Sequence, residues 1–219
     1  MNNTLLEALI GWPKPFIKSP DIRLLLGRSL DACKGIIKRA VHEGYLLRLR
    51  QGLYLIKMLP NKPLPNKFEL AQQIYGPSYI SFESALSYAG WIPEAVVVTC
   101  SACIKQTKEF RTHLGTFTYE KIPNSIFNVG VSFVKENESS YLIADPWKAI
   151  ADMIYFRNRR WKSIHELSGD LRIEMAEIET SNKELLQFLS KHYPHALTQK
   201  ILIKFYSELI DFLGENDEY

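Results

Sequence analysis

One eight-residue segment limits how this chain can fold. Leu59-Pro60-Asn61-Lys62-Pro63-Leu64-Pro65-Asn66 carries three prolines, and each one fixes φ and removes a backbone donor. No regular helix or central strand runs comfortably through such a stretch, so it reads as an extended, fairly stiff connector. Pro-rich segments also serve as ligands for aromatic grooves, but the position between two patterned regions favours a linker. The expected organisation is a small domain over 1–58, a linker over 59–66 and a larger domain over 67–219, in a mixed α/β fold with a small sheet and a C-terminal helical bundle.

Charge divides along the same boundary. Residues 1–66 hold six lysines and five arginines against Glu7, Asp21, Asp31 and Glu43, a net of +7, and the remainder carries −4, giving the overall +3. A small basic head on a larger acidic body suggests nucleic-acid binding by the head. A chance fluctuation of charge is the plainer explanation, and the pattern within the head has to decide between them.

That pattern is punctuated like a helix-turn-helix. Asn2 to Ile10 reads as a short helix with Leu5, Leu6 and Leu9 on one face, ended by Gly11, Pro13 and Pro15. Ser19 before Pro20 reads as an N-cap and first turn, opening a helix over Asp21 to Leu26 that stops at Gly27. Ser29 starts the next, with Asp31 in its first turn where the helix dipole favours an acid. Leu30, Cys33, Ile37, Ala40 and Val41 then form one apolar stripe at helical spacing, and Gly44 closes the helix. The opposite face offers Ser29, Lys34, Gly35, Lys38 and His42, with Arg39 on the flank and Arg28 in the turn ahead.

After that helix, Leu47 and Leu49 alternate with Arg48 and Arg50, the signature of a strand with one buried face. Gln51-Gly52 turns the chain into a second strand through Ile56. A hairpin directly after a recognition helix occupies the place of the wing in a winged helix, with Arg48, Arg50 and Gln51 at or near its tip. The candidate DNA-contacting set is therefore Arg28, Ser29, Lys34, Lys38, Arg39, Arg48, Arg50 and Gln51. A small helical subdomain with a solvated basic face is the alternative. Three agreeing signals weigh against it: the charge excess, the helix-turn-helix punctuation and arginine beside the turn.

Beyond the linker, Phe68 to Tyr75 reads as helix, followed by a second one N-capped at Ser81 and stopped at Gly90. Ala95 to Cys100 is a β-branched run expected to form a buried strand. Gly115 to Ile122, Val129 to Val134 and Tyr141 to Ala144 complete a small sheet. Asp145-Pro146 opens a helix with Trp147, Ile150, Ala151 and Ile154 on one face, Asp145 being its N-cap and Asp152 an exposed helix residue. Everything after Ser163 reads as helix, ending in a long one marked by Leu197, Ile201, Phe205, Leu209 and Phe212. Arg157, Arg159, Arg160 and Lys162 form a basic cluster, either a solvated helix end or a second contact to DNA or an acidic partner.

Catalytic signatures are missing. There is no G-x-x-x-x-G-K-[ST] loop, G-x-G-x-x-G turn or G-x-S-x-G elbow, so no enzymatic activity, cofactor or small-molecule substrate is expected. Cys100 and Cys103 are spaced like zinc ligands, but a structural site needs two more, and Cys33 is the only other cysteine. Core or turn cysteines are the better reading, with no metal. His192 and His195 read as surface or cap residues beside Tyr193-Pro194. Three cysteines do not suit a disulfide scaffold. Met1 to Gly11 has Glu7 and no basic residue, unlike a signal peptide. A cytoplasmic protein without a membrane span is expected.

Four segments in order, GYLLRLRQGLYLI, SYISFESALSYAGWIPEAVVVT, GTFTYEKI and ADPWKAIAD, resemble the AbiEi-type antitoxin family of bacterial toxin–antitoxin and abortive-infection (phage defence) systems. The resemblance runs from the winged helix to about Tyr155, some two thirds of the chain. It implies an N-terminal winged helix, with a recognition helix at Ser29–Glu43 and a wing at Leu46–Ile56, that represses its own operon at inverted repeats of double-stranded DNA. It also implies a C-terminal domain that counteracts a nucleotidyltransferase-like toxin from the same operon. Where the family often has Pro-Glu-Lys-Ala, this chain has Pro146-Trp147-Lys148-Ala149. A stand-alone winged-helix regulator without a toxin is the alternative function.

Overall fold

The computed structural model describes residues 3–57 and 64–216. The chain is mixed α/β and divides into two compact units, residues 1–74 with 112–114 and residues 75–111 with 115–219. Of the proline segment, Leu59 to Pro63 lie outside the described residues, and Leu64 to Asn66 have no regular structure. Helix α4 (Lys67–Ile74) groups with the first unit. Its start is capped by the Asn66 carboxamide oxygen, which accepts from the Phe68 N–H at 2.8 Å.

The first unit runs α1 (Asn3–Ile10), β1 (Phe16–Lys18), α2 (Ser19–Leu26), α3 (Leu30–His42), β2 (Leu46–Arg50) and β3 (Leu53–Ile56), then α4. Its three strands form an antiparallel sheet in the order β1-β3-β2. Strand β1 is an addition to the sequence reading, since three residues hemmed by Pro13, Pro15 and a helix are too few to show a period. The N-cap of α2 is Lys18, not Ser19; the Asp21 carboxylate accepts the Lys18 N–H at 3.0 Å and does the capping work. The core gathers Leu5 and Leu9 of α1, Ile17, Ile22, then Cys33, Ile36, Ile37 and Ala40 of α3, and Leu46, Tyr54 and Ile56 from the strands.

Simple alternation in β2 does not hold. Leu46 and Leu49 are buried while Leu47 is half-buried. Arg48 opposes Tyr54 and Arg50 opposes Leu53, leaving Leu49 as an extra residue. A β-bulge of this kind shifts the side-chain period by one and re-aims the side chains beyond it. Strand β3 is buried at every position.

The second unit holds β4 (Ser78–Ile80), α5 (Phe82–Tyr88), β5 (Thr99–Cys103), β6 (Lys108–Thr112), β7 (Gly115–Lys121), β8 (Val131–Glu136), β9 (Ser139–Ala144) and the helices α6 (Pro146–Arg157), α7 (Ile164–Leu171), α8 (Met175–Glu179), α9 (Lys183–His192) and α10 (Ala196–Asn216). The sheet order is β6-β7-β5-β4-β9-β8, with parallel pairs β5/β7 and β4/β9. The expected strand over Ala95 to Cys100 begins only at Thr99, and Val97 is 83 % exposed. The Val98 carbonyl instead accepts from the Ser84 hydroxyl at 3.2 Å, so the valine run is tied to a helix rather than joining the ladder. Helix α6 lies at the centre. Every residue from Trp147 to Ile154 is buried, which marks a helix surrounded on all sides.

Candidate nucleic-acid interface

Helix α3 is positioned by its two ends. Gly27, at φ +60°, ends α2 in the left-handed region and lets the chain turn within three residues. The Ser29 hydroxyl then accepts from the Ala32 N–H at 3.3 Å as the N-cap of α3. At the other end, left-handed Gly44 lets the Tyr45 N–H reach the Ala40 carbonyl at 2.9 Å. Held this way, α3 turns Cys33, Ile36, Ile37 and Ala40 to the core and leaves Lys34, Gly35, Lys38, Arg39 and His42 exposed.

The exposed cations are not equivalent. Lys34 Nζ pairs with Asp31 Oδ1 at 2.7 Å one turn back. That hydrogen bond raises the lysine pKa and lowers the aspartate pKa, and it neutralises part of the charge a phosphate would meet. Lys38 and Arg39 have no ion-pair partner among the described residues. Arg28 is exposed in the turn. Arg48 is exposed on β2 with its guanidinium 5.9 Å from the ring centre of Tyr54, its cross-strand neighbour, so the aromatic face steadies it without removing its charge.

Arg50 departs from expectation. Its guanidinium donates to the Gln51 carbonyl at 2.7 Å and to the Gln73 carbonyl at 3.1 Å. The bulge at Leu49 turns Arg50 toward α4, where the half-buried guanidinium is engaged by backbone oxygens. The hairpin tip is held down as well, because the Gly52 carbonyl accepts the Ser19 N–H at 3.0 Å. The turn is a short, docked loop, with exposed Gln51 as its outward side chain.

The second basic cluster is broken up by the fold. Arg157, in the last turn of α6, sits between two carboxylates: it pairs with Glu83, reaches Glu120 at 3.0 Å, and lies 4.9 Å from the ring centre of Phe82. These partners raise its pKa against the opposing effect of burial, and burial pushes the Glu120 carboxyl up while Arg157 opposes it. Arg157 is thus half-buried, with its charge already met by two carboxylates. Arg159 pairs with Asp170 at 3.4 Å. Arg160 and Lys162 remain exposed.

Asp152 was expected on the surface and is fully buried. Oδ1 accepts from the equally buried Lys148 and from the Tyr193 hydroxyl at 3.2 Å; Oδ2 accepts from the Tyr79 hydroxyl at 2.7 Å and the Ser81 hydroxyl at 2.9 Å. Ser81 stands at the N-cap position of α5, but its hydroxyl serves Asp152 and makes no cap bond. Burial pushes the Lys148 pKa down and those of both tyrosines up. A lone Lys and Asp four apart in an otherwise apolar helix was the available signal: on a helix buried all round, they have to pair. Enclosed on every side, the cluster reads as a device that fixes β4, α5, α6 and the α9–α10 junction to one another.

Asp145 caps α6, accepting the Trp147 N–H at 2.9 Å. Cys100 and Cys103 are buried free thiols of β5 whose pKa values burial raises. Among the described residues no group of three or more His, Cys, Asp or Glu side chains could hold a metal ion, and no helix is long and apolar enough to cross a membrane. The His192 ring stacks on Phe188, and His195 Nδ1 lies 2.9 Å from the Thr198 hydroxyl at the start of α10. No protein-family model matches the chain, and no curated protein matches it.

Proposed function

We propose that the chain is a DNA-binding regulator that acts by binding rather than catalysis. The first unit lays α3 into the major groove, with Lys38 and Arg39 on groove and phosphate, Arg28, Ser29 and Lys34 at its N-terminal end, and Arg48 and Gln51 on the flanking backbone. The observation that carries this reading is the face of α3 opposite the core, where Lys38 and Arg39 stand exposed and without an ion-pair partner among the described residues. The order of helices and hairpin, α1-β1-α2-α3-β2-β3, supports the winged-helix reading. The net +7 of residues 1–66 supplies the long-range attraction to DNA. A shift assay with duplex from the region upstream of the chain's own gene tests it. Retarded migration that Lys38→Ala plus Arg39→Ala abolishes is the expected outcome.

The second unit is proposed as the antitoxic part, opposing a nucleotidyltransferase-like toxin in the cytoplasm. The order of the four sequence segments that resemble AbiEi-type antitoxins supports this. Co-expression with the neighbouring gene, scored for growth rescue and co-purification, tests it. DNA binding without rescue, beside a gene of another kind, favours the stand-alone regulator.

A further inference from the structure

Helix α10 carries two apolar stripes, and among the described residues one is buried while the other is partly exposed. Its 21 residues span roughly 31 Å at 1.5 Å per residue. The first stripe, Ile201, Leu202, Phe205 and Leu209, is buried in its own unit, where α10 packs against α6, α7, α8 and α9. The second lies one residue further round: Ile203 is 55 % exposed, Ile210 is 43 % exposed, and Tyr206 and Leu213 are half-buried. Their spacing of three, four and three residues is the alternation of a coiled-coil seam. A helix docked on one side only would present polar residues there.

Charge along the helix indicates the occupant. Lys200 and Lys204 are exposed in its N-terminal half and Asp211 is exposed in its C-terminal half. Glu208 is already engaged, accepting the Ile164 N–H at 2.7 Å and lying 3.7 Å from Lys204. Two such helices side by side and parallel would set lysine beside lysine. Side by side and antiparallel, they set the lysines of one copy near Asp211 of the other, stack Tyr206 of one on Ile210 of the other, and oppose their dipoles favourably.

We propose that this face of α10 is a self-association surface, pairing antiparallel with α10 of a second copy about a two-fold axis near Glu208. The interface is isologous, so each contact occurs twice. Four side chains per copy make a small patch, below the area of a standard stable interface, so the dimer is weak, with a dissociation constant on the order of micromolar to tens of micromolar. The inference is independent of the DNA-binding reading.

Sedimentation velocity of the full chain, over about 1 to 500 µM to bracket that constant, tests it. The expected result is a concentration-dependent passage from monomer to dimer. Ile203→Glu with Ile210→Glu, both at exposed positions, should keep the wild-type circular dichroism and thermal midpoint yet stay monomeric throughout. Lys204→Glu should weaken the dimer, and adding Asp211→Lys should restore it, which a parallel arrangement would not allow. A monomer at the highest concentration, or a dimer indifferent to the double glutamate variant, overturns the proposal.

Discussion

Tyr79 and Asp152 are 73 residues apart in sequence, yet the tyrosine hydroxyl donates to the carboxylate at 2.7 Å in a fully buried position. With Ser81, Tyr193 and Lys148 completing the set, each oxygen of Asp152 accepts two hydrogen bonds. A buried ion pair contributes little net stability when intact, but removing one partner leaves an uncompensated charge in the interior.

Asp152→Asn should therefore lower the unfolding free energy of the second unit by about 3–5 kcal/mol, read from urea denaturation. Asp152→Asn with Lys148→Met should recover most of that loss, because no charge is then stranded. Equal loss in the single and double variants would show that the hydroxyl donors, not the ion pair, carry the cluster.

Arg50 and Lys38 should separate cleanly. Arg50→Ala removes two bonds to backbone carbonyls and should cost roughly 1–2 kcal/mol of first-unit stability while leaving the salt dependence of DNA binding unchanged. Lys38→Ala, at an exposed position, should leave stability within about 0.5 kcal/mol and make the log–log salt slope shallower by about 1. Denaturation and anisotropy titrations on the two variants measure both quantities.

The difference between those two residues shows where sequence reasoning stops. The buried positions Cys33, Ile37 and Ala40 of α3 and Ile201, Phe205 and Leu209 of α10, the caps at Ser29 and Asp145, and the turn at Gln51-Gly52 are local patterns, and the structure carries them as read. Arg50 was misplaced because one extra residue at Leu49 inverts every side chain after it, and no composition rule marks a bulge. Asp152 was misplaced because three of its four donors, Tyr79, Ser81 and Tyr193, come from segments far apart in the chain, which no helical period records. Strands β1 and β4 have three residues each, too few to show alternation. Arg157 looked like part of a basic run until the fold brought Glu83 and Glu120 to it.

Asp145 gives a pH test. Burial raises its carboxyl above the usual aspartate value of 3.8, with the Trp147 N–H opposing. A raised acid binds its proton more tightly when folded, so its stabilising contribution is full below the unfolded pKa and is lost as pH rises through the folded one. Asparagine caps a helix about as well as aspartate. Asp145→Asn should therefore gain in stability relative to wild type as pH climbs from below 3.8 toward neutrality. A difference that is flat with pH would place the aspartate pKa at its unfolded value.

The three cysteines are buried and free, and burial raises the thiol pKa of Cys100 and Cys103. Thiolate is the reactive form. A thiol-reactive chromogenic disulfide should label none of them rapidly in the native protein and all three in denaturant. Fast native labelling at Cys100 or Cys103 would mean that strand β5 opens.

If the exposed cations of the first unit meet DNA phosphates, as proposed, binding has to weaken steeply with salt. With Arg50 excluded and Lys34 already paired with Asp31, Arg28, Lys38, Arg39 and Arg48 would make four contacts. The affinity for a duplex from upstream of the chain's own gene, followed by fluorescence anisotropy across a series of salt concentrations, should fall with a log–log slope of about −3 to −4. A slope near zero, or no binding at low salt, would show that these cations do not meet phosphate.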